Sequence, residues 1–389
     1  MQTIRRVLFV VSIYKPNMGG VETSVESYCK ELNKLGIATV ILTKRFPLNL
    51  PSQAQYGSTK VFRVLKPESD LDYKNTLKEL LQNDELKADI IHVVGVRRPL
   101  PLFALLLSKF FNVPCLMTFV GGDVAPGPIW EEHKEDTINS IQQADAYSAY
   151  SSSIINDANN LLTLTKPIPV IKTGINLIKI QKLPTKKLAQ KYFLCARRLV
   201  HDKGIDILLN AFAIVSTIFP DILLYIAGEG EEEHNLKTLA KTLKIQDRVI
   251  FIGTISLEEL YTNMKGAIAH ICPSRSEGGG NVNIEASACG CVPIGSRIGG
   301  IPEYIKDNKT GLLFESENIN DLSEKMIYLL TNPKDRDKLI KNGLEFAKSF
   351  SIEAQTIKHL KIYSSITNSK DFKPWSKLTE DLYNEIKNR

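Results

Sequence analysis

Two glutamates that stand eight positions apart, Glu277 and Glu285, bracket a glycine-rich loop and the start of the segment after it, in the second half of the chain. The first glutamate is followed directly by three glycines and an asparagine, which are Gly278, Gly279, Gly280 and Asn281. Glycines let an anion approach the backbone, and the N–H groups at a helix N-terminus carry partial positive charge, so this loop suits a phosphate. Carboxylates instead accept hydrogen bonds from hydroxyl groups. The combination predicts a site for a sugar nucleotide.

The segments around this loop predict that it joins two strands of a parallel sheet through a helix. Residues 267–271 form an apolar run typical of a buried strand, the stretch from Asn281 to Gly290 has helical periodicity, and residues 292–295 form the next short strand. An ordinary helix cap with acids in its first turn would explain the glycine loop alone. The two glutamates and a second glycine pair, Gly299 and Gly300, favour a binding site.

These motifs resemble the signature of the retaining glycosyltransferases of family 4. The resemblance rests on Glu277, seven intervening residues, Glu285, and the later strings Ala-Cys-Gly-Cys-Val-Pro and Gly-Gly-Ile-Pro-Glu. It covers nearly the whole chain and is specific for the superfamily but not for the sugars. It implies an α/β protein of the GT-B fold, with two Rossmann-like, doubly wound domains facing each other across a cleft. The expected domains are residues 1–180, completed by a C-terminal helix over 365–389, and residues 190–364.

Composition agrees with a globular protein of this kind. A chain of 389 residues is long enough for two or three domains, and a net charge of +6 would suit anionic nucleotides or an acidic lipid surface but is too small to predict a nucleic-acid partner. The six cysteines lie mostly in apolar segments without a C-x-x-C pair, which predicts buried thiols in a reducing compartment. The apolar stretch after Arg5 and Arg6 is too short for a membrane span and predicts a first strand. We therefore expect a cytoplasmic protein, free or peripheral on the inner face of the membrane.

A glycine pair, Gly19 and Gly20, follows the first predicted strand, residues 7–12, and opens a helix. A Rossmann dinucleotide site needs G-x-G-x-x-G and an acid after the second strand, but here the spacing differs and Lys44 and Arg45 stand in the place of the acid. The family resemblance implies that Gly19 and Gly20 lie over the donor diphosphate. A plain tight turn is the alternative, about as plausible for Gly19 taken alone.

Asp123 follows a predicted buried strand, at the carboxyl end where open α/β sheets carry their functional groups. Thr118, Gly121 and Asp123 match the family pattern Thr-x-His-Gly-x-Asp, whereas Val120 replaces the histidine that commonly contacts the transferred sugar. The resemblance implies that Asp123 orients the acceptor or the donor, with a structural role as the alternative. His92, inside the preceding strand, is predicted to be a core histidine and is left out of the site.

Two cations of the second half match the family's donor-phosphate motifs. A predicted strand over residues 192–196 is followed by Arg197, Arg198 and, after four more residues, Lys203. Arg198 and Lys203 match the Arg-Leu and Lys-Gly of the family, and such cations suit a diphosphate and the charge that develops on the leaving group. Arg197 is expected to point away. Gly228 resembles the turn that approaches the nucleotide base in such enzymes.

The resemblance implies a retaining hexosyltransferase that uses a nucleoside diphosphate sugar and no metal or other cofactor. Its acceptor would be a hydroxyl of a glycan or of a lipid-linked molecule, in surface polysaccharide synthesis. Glu277 would orient sugar hydroxyls, Glu285 would hold the ribose, and the backbone from Gly278 to Asn281 would assist with phosphate and sugar. No D-x-D pair stands at a predicted strand end, in agreement with a reaction that needs no metal.

Other activities fit the same architecture. A sugar-nucleotide epimerase or a phosphorylase would share the fold. The departures at Val120 and at Thr173, where the family usually has asparagine, would be compatible with a nucleotide-sugar-binding protein that has lost catalysis. Three basic pairs, Arg5-Arg6, Lys44-Arg45 and Arg97-Arg98, would suit a peripheral membrane contact, although solvated surfaces explain them as well.

Overall fold

The chain forms two compact units in a computed structural model that describes residues 4–17, 19–64, 70–124, 135–186 and 190–367. The first unit comprises Met1–Gly174 and Ile352–Arg389, and the second comprises Ile175–Ser351. Each unit is built on its own largely parallel sheet covered by helices. This confirms the predicted pair of doubly wound α/β domains.

The first unit contains a seven-stranded sheet with the order β3-β4-β2-β1-β5-β6-β7. Its central strands are almost wholly buried apolar runs, as expected for a sheet with helices on both faces. The edge strand β3 pairs antiparallel with β4 and was not predicted. The strands are β1 (Arg6–Val11), β2 (Ala38–Lys44), β3 (Gln53–Tyr56), β4 (Thr59–Val64), β5 (Ile90–Val94), β6 (Cys115–Phe119) and β7 (Ala146–Ala149). The helices are α1 (Gly20–Lys34), α2 (Asp70–Leu81), α3 (Leu100–Phe111), α4 (Glu135–Gln142) and α5 (Ser152–Leu161).

The second unit contains a six-stranded parallel sheet with the order β10-β9-β8-β11-β12-β13. The order reverses between β8 and β11, so the loops that follow these two strands leave the sheet side by side. After helix α6 (Leu177–Lys182), the strands are β8 (Tyr192–Ala196), β9 (Leu223–Ala227), β10 (Val249–Gly253), β11 (Ala269–Cys272), β12 (Val292–Ser296) and β13 (Leu312–Phe314). The helices are α7 (Ile205–Ile218), α8 (Glu233–Thr242), α9 (Leu257–Gly266), α10 (Asn281–Ala288), α11 (Ile301–Tyr304), α12 (Ile319–Thr331) and α13 (Pro333–Lys348).

The last helix among the described residues, α14 (Ile352–Thr367), lies in the first unit, whereas the sequence analysis ended the second domain at residue 364. Aromatic packing and a buried hydrogen bond hold it there. The ring of His359 packs edge-on against Tyr28 with centroids 4.8 Å apart, and the Tyr363 hydroxyl lies 2.7 Å from His92 Nδ1. The chain therefore returns to the first unit earlier than predicted. Most of the helix expected over 365–389 falls outside the described residues.

The prediction that His92 is a core histidine is confirmed. Besides its bond to Tyr363, its Nε2 lies 2.7 Å from Thr118 Oγ1, which in turn lies 2.6 Å from Ser148 Oγ. Burial holds the pKa of His92 well below its usual value, so the ring is neutral in this hydrogen-bonded chain. The side chain thus satisfies polar groups inside the sheet.

The cysteines and the helices bear on two further expectations. All six cysteines are buried, and none is bonded to another, as predicted for core thiols. Among the described helices, none combines the length and the low polarity that crossing a bilayer would require.

Candidate active site

The predicted strand, loop, helix and strand around the glycine-rich loop are confirmed as β11, residues 273–280, α10 and β12. The loop leaves the carboxyl edge of the sheet, and Gly280 turns the chain into the helix with φ of +86°, a conformation that favours glycine. The helix begins at Asn281. The amide of Asn283 donates to Gly280 O at 3.0 Å. The start of a helix carries partial positive charge, so this end of the loop attracts an anion.

Glu277 is the centre of a three-residue charge cluster with Arg197 and Lys203. Arg197 Nη2 donates to Glu277 Oε2 and also to Ser274 Oγ at 3.1 Å. Lys203 Nζ lies 3.2 Å from the same carboxylate oxygen and 3.2 Å from the carbonyl oxygen of Ser276. The three charged side chains are only 12%, 14% and 16% exposed for Arg197, Lys203 and Glu277 respectively. One carboxylate thus meets two largely shielded cations, which leaves the cluster with net positive charge.

The prediction that Arg197 points away is wrong, whereas the predicted role of Arg198 at the diphosphate stays a prediction. Arg197, predicted to point away, contacts Glu277, whereas the side chain of Arg198 is exposed. The backbone explains this outcome. Hydrogen bonds from the Arg197 amide to Ala227 O and from the Leu199 amide to Glu229 O, both 2.9 Å, continue the extended pairing of β8 with β9. Consecutive side chains of an extended segment point to opposite sides, which explains why Arg197, and not its neighbour Arg198, contacts Glu277.

Lys203 is less basic than an ordinary lysine. Burial, followed by repulsion from the Arg197 charge, lowers its pKa to about 8, and the charge of Arg198 acts in the same direction. The charge of Arg198 therefore lies close enough to Lys203 to affect its pKa. A lysine with this pKa is still mostly charged at neutral pH but loses its charge in mildly alkaline solution.

Glu285 lies on α10 with the hydroxyl of Tyr261, on α9, 3.3 Å from its Oε1. Burial raises the pKa of Glu285 to about 7, an effect that the hydrogen bond and the nearby charge of Arg197 oppose. Arg197 contacts Glu277, and its charge also acts on Glu285. The structure thus brings together three of the predicted residues, which are Glu277, Glu285 and Lys203. Tyr261 was not predicted, since it is separated from Glu285 by 24 positions.

The loops at this edge of the sheet touch backbone to backbone through glycines. A Cβ atom on Gly228 would lie 2.0 Å from Arg197 O, and one on Gly299 would lie 2.0 Å from Glu277 O. The Gly228 backbone therefore packs under Arg197, where no side chain would fit. Gly279 differs, because a Cβ there would make only ordinary contacts, 3.6 Å from the Tyr304 hydroxyl and 3.7 Å from Asn281 Oδ1. Neither a close contact nor a positive φ requires glycine at this position.

Arg275 anchors the loop from outside and was missed by the sequence analysis. Its guanidinium donates to both carboxylate oxygens of Asp206, at 2.8 and 2.7 Å, to Glu317 at 2.9 Å and to the carbonyl oxygen of His201 at 2.9 Å. These bonds tie the glycine-rich loop to the segment that carries Lys203. Asp206 lies 69 positions away, so no local spacing could have revealed the pair.

The carboxylate of Asp123, in the first unit, accepts hydrogen bonds from the backbone. Its oxygens accept hydrogen bonds from the N–H groups of Val96 at 2.9 Å, Val120 at 3.0 Å and Gly121 at 2.7 Å. The side chain is buried, and burial raises its pKa above the ordinary value. Asp123 therefore fixes the loops after β5 and β6 to each other, which is the structural alternative considered above.

Gly19 and Gly20, also in the first unit, stand at the start of α1 after the carboxyl end of β1. The N–H of Gly19 donates to Glu22 Oε2 at 2.8 Å, so an acid of the same helix occupies it. A Cβ on Gly20 would meet nothing within 4 Å. The second unit is described separately, and the predicted contact of this glycine pair with a donor diphosphate stays a prediction.

The cluster is distinct from another depression in the second unit. A cavity of about 530 Å³ is lined by residues that precede β8 and β9, among them Lys191, Phe219 and Ile222, together with Leu330. It therefore lies at the amino edge of the sheet, opposite the charge cluster. Within the described residues, no three histidine, cysteine, aspartate or glutamate side chains converge as they would around a metal ion.

Two families of known proteins match this chain along most of its length. Residues 18–179 match the family described as Glycosyltransferase Family 4, and residues 178–346 match Glycosyl transferases group 1. The chain belongs to glycosyltransferase family 4. The predicted resemblance is thereby confirmed, and it includes the segment that carries Arg197, Lys203, Glu277 and Glu285.

Relatives of this family 4 glycosyltransferase include an uncharacterized glycosyltransferase of Methanocaldococcus jannaschii. It is 27% identical over 92% of this chain and 97% of its own length. N-acetyl-alpha-D-glucosaminyl L-malate synthase of Bacillus anthracis is 26% identical over 81% of this chain and 85% of its own. Among solved structures, Anabaena HepE in complex with UDP and glucose aligns with a TM-score of 0.75 and 16% identity, over 93% of this chain and all of that one. That likeness confirms the GT-B fold.

Proposed function

We propose that this glycosyltransferase moves a hexosyl group from a nucleoside diphosphate sugar to a hydroxyl of a glycan or lipid-linked acceptor, with retention of configuration and without a metal. The observation that carries the proposal is the Arg197–Glu277–Lys203 cluster beside a glycine-rich loop and a helix N-terminus. Two cations and the positive end of a helix match a diphosphate, and the acids match hydroxyl groups. HepE, whose structure contains UDP and glucose, supports a nucleotide-sugar donor for this fold.

In the proposed complex the diphosphate replaces Glu277 as the partner of Arg197 and Lys203. The freed carboxylate of Glu277 then accepts hydrogen bonds from hydroxyls of the donor sugar, while Glu285, in its ionised form, accepts them from the ribose. As the bond to the leaving phosphate breaks, negative charge grows on the phosphate oxygens, and the two cations stabilise it. That phosphate takes the proton of the acceptor hydroxyl, which attacks on the same face of the sugar, so no covalent sugar–enzyme intermediate forms.

Nucleotide binding to the Lys203→Ala variant tests the site. Calorimetry with a panel of nucleoside diphosphates should show an affinity about 10- to 100-fold below that of the natural chain, because one charge-assisted phosphate contact is lost. Lys237→Ala is the matched control, since Lys237 forms an exposed ion pair with Glu233 on α8. Unchanged affinity in the Lys203 variant, with a folded protein, would remove Lys203 from the donor site.

The chemistry is tested with the donor that binds. Slow release of nucleoside diphosphate without acceptor, and formation of a glycoside when an acceptor is added, are expected of a transferase. Transfer to inorganic phosphate instead would indicate a phosphorylase, and interconversion of sugar nucleotides an epimerase. The anomeric configuration of the product, measured by NMR, should equal that of the donor, and an inverted product would refute retention.

A further inference from the structure

The carboxylate of Glu285 is held by only one of its oxygens. The hydroxyl of Tyr261 donates to Oε1 at 3.3 Å, whereas Oε2 accepts no hydrogen bond from any residue that the structure describes. The bond to Oε1 is long, as bonds in a ligand site often are before the complex forms. Oε2 is therefore the oxygen of Glu285 that can accept a hydrogen bond from a ligand.

Tyr261 remains a donor to this carboxylate over the whole range in which Glu285 titrates. Its side chain is buried, and burial, followed by the charge of Glu285, raises the pKa of Tyr261 well above its usual value. The phenol therefore keeps its proton wherever Glu285 is ionised. A hydrogen bond to the charged form of an acid lowers the pKa of that acid, so Tyr261 counteracts the burial that raises the pKa of Glu285 to about 7.

Helix α9, which carries Tyr261, is fixed near both of its ends. Before its first turn, the amide and the hydroxyl of Ser256 both donate to Glu259 Oε2 at 2.8 Å. Near its last turn, the Tyr192 hydroxyl donates to the carbonyl oxygen of Asn263 at 2.6 Å, which joins the helix to β8. The Tyr261 hydroxyl thus has a defined place beside α10, and a fixed donor restricts the orientations open to the Glu285 carboxylate.

Two other titratable groups interact with the charge of Glu285, which are Arg197, after β8, and Cys289, at the end of α10. A guanidinium keeps its charge throughout this range, and burial raises the pKa of the Cys289 thiol, which is therefore neutral. His270, on the strand β11 that packs against α10, is also neutral, because burial lowers its pKa to about 3. Among these groups, ionisation of Glu285 is thus the one change of charge expected near neutral pH.

We propose that Tyr261 is a positioning residue for the donor: by holding Oε1 of Glu285 it favours the ionised carboxylate and leaves Oε2 to the ribose, so that the site selects nucleotides whose ribose carries its hydroxyl groups. Tyr261 acts through Glu285 rather than on the donor itself. A charged acceptor binds a hydroxyl more strongly than a neutral one, so recognition of the ribose depends on the ionisation that Tyr261 favours. The inference rests on the proposed function, which assigns Glu285 to the ribose.

Calorimetry on the full chain compares the diphosphates of uridine, guanosine and adenosine, each with its dideoxyribose analogue, which lacks both ribose hydroxyls. The natural chain should bind the ribose form roughly fivefold more tightly or better, and this ratio should grow as the pH rises through about 7 and Glu285 ionises. In Tyr261→Phe the same growth should occur about one pH unit higher, because the carboxylate loses a donor that stabilises its charge. In Glu285→Gln the ratio should not depend on pH. Loss of the Lys203 charge in alkaline solution affects both ligands alike, so the ratio does not report it.

The first unit supplies a matched control. Tyr147→Phe also removes one buried hydroxyl, which donates to the carbonyl oxygen of Ile141 at 2.8 Å, and its ratio should follow that of the natural chain at every pH. An unchanged ratio in Tyr261→Phe would overturn the inference. So would a loss of affinity by the same factor for both ligands, since that result would give Tyr261 a merely structural role.

A titration without nucleotide separates this inference from the proposed function. NMR of the glutamate carboxyl carbons follows the ionisation of Glu285, whose signal is identified by its absence in Glu285→Gln. Its midpoint should be higher in Tyr261→Phe than in the natural chain, and an unchanged midpoint would overturn the inference. If the natural chain binds none of the three diphosphates while the midpoint shifts as expected, the proposed function fails and the role assigned to Tyr261 is reduced to holding Glu285, which overturns its part in selecting the donor.

Discussion

Replacing Arg197 by alanine is expected to destabilise the second unit by about 2 kcal/mol. Removing one partner of a fully buried ion pair costs about 3–5 kcal/mol, because a charge is left without compensation. Here the pair is 12% and 16% exposed, and Lys203 at 3.2 Å still neutralises part of the Glu277 charge, so the cost is smaller. The lost hydrogen bond to Ser274 adds about 1 kcal/mol of the total.

Arg198→Ala is the matched control for Arg197→Ala. Its side chain is exposed, so the free energy of unfolding should change by less than about 0.5 kcal/mol. Denaturant unfolding of both variants, followed by a spectroscopic signal, measures the difference. If Arg198→Ala is the more destabilised of the two, the assignment of Arg197 to Glu277 is wrong.

The same pair of variants separates stability from ligand binding. Without Arg197, the repulsion that helps to lower the pKa of Lys203 is removed, so this pKa should rise above about 8. The affinity for a nucleoside diphosphate should fall about tenfold or more in the Arg197 variant, since a phosphate partner is lost. A smaller loss there than in Arg198→Ala would favour the motif match made from sequence over the structure.

Three further changes test other parts of the molecule. The folded chain keeps the Glu285 proton up to a pKa of about 7, whereas the unfolded chain releases it near 4.5, so the natural chain should lose about 3 kcal/mol of stability as the pH rises from about 4.5 to 7. Glu285→Gln should abolish this pH dependence. Denaturant unfolding at both ends of the range measures the effect, and an unchanged pH dependence in the variant would contradict the raised pKa. Asp123→Asn should lower the stability of the first unit by about 2–4 kcal/mol, because an amide nitrogen cannot accept hydrogen bonds from backbone N–H groups. An unchanged melting temperature would show that Asp123 does not hold the loops after β5 and β6 together. Gly299→Ala should be destabilising by several kcal/mol, since its Cβ would lie 2.0 Å from Glu277 O. Gly20→Ala, which places its Cβ in open space, is the control and should be neutral. Equal melting temperatures of the two variants would show that the loops around Gly299 and Glu277 are not in contact.

Much of the fold was predictable, because the strands of parallel sheets are buried on both faces and appear as apolar runs. The strand, glycine loop, helix and strand from β11 to β12 were predicted within two residues. The antiparallel strand β3 was missed, since Gln53–Tyr56 is half polar and lies at an edge. The last helix was assigned to the wrong unit because its packing on Tyr28 and His92 joins residues that are far apart in sequence.

The candidate site was predictable in its residue types and only partly in its geometry. Glu277, Glu285 and Lys203 could be found from motif spacing, and the structure gathers them around Arg197. The choice between Arg197 and Arg198 depends on which side of an extended segment faces the loop, and motif matching does not contain that information. The alternation of side chains along an extended segment gave a partial indication, since Arg197 stands two positions from the apolar residues Cys195 and Leu199 and therefore shares their side. Arg275 and Tyr261 act through partners distant in sequence and left no signal.

The glycine contacts between neighbouring loops constrain how this chain can change its substrate. Main-chain atoms of the segments around Arg197 and Gly228, and around Glu277 and Gly299, already lie against each other, so an insertion into either segment would displace its neighbour. Relatives that accept different donors should therefore keep these lengths and vary single side chains. Position 279, where the backbone leaves room for a side chain, is the first place at which to look for such variation.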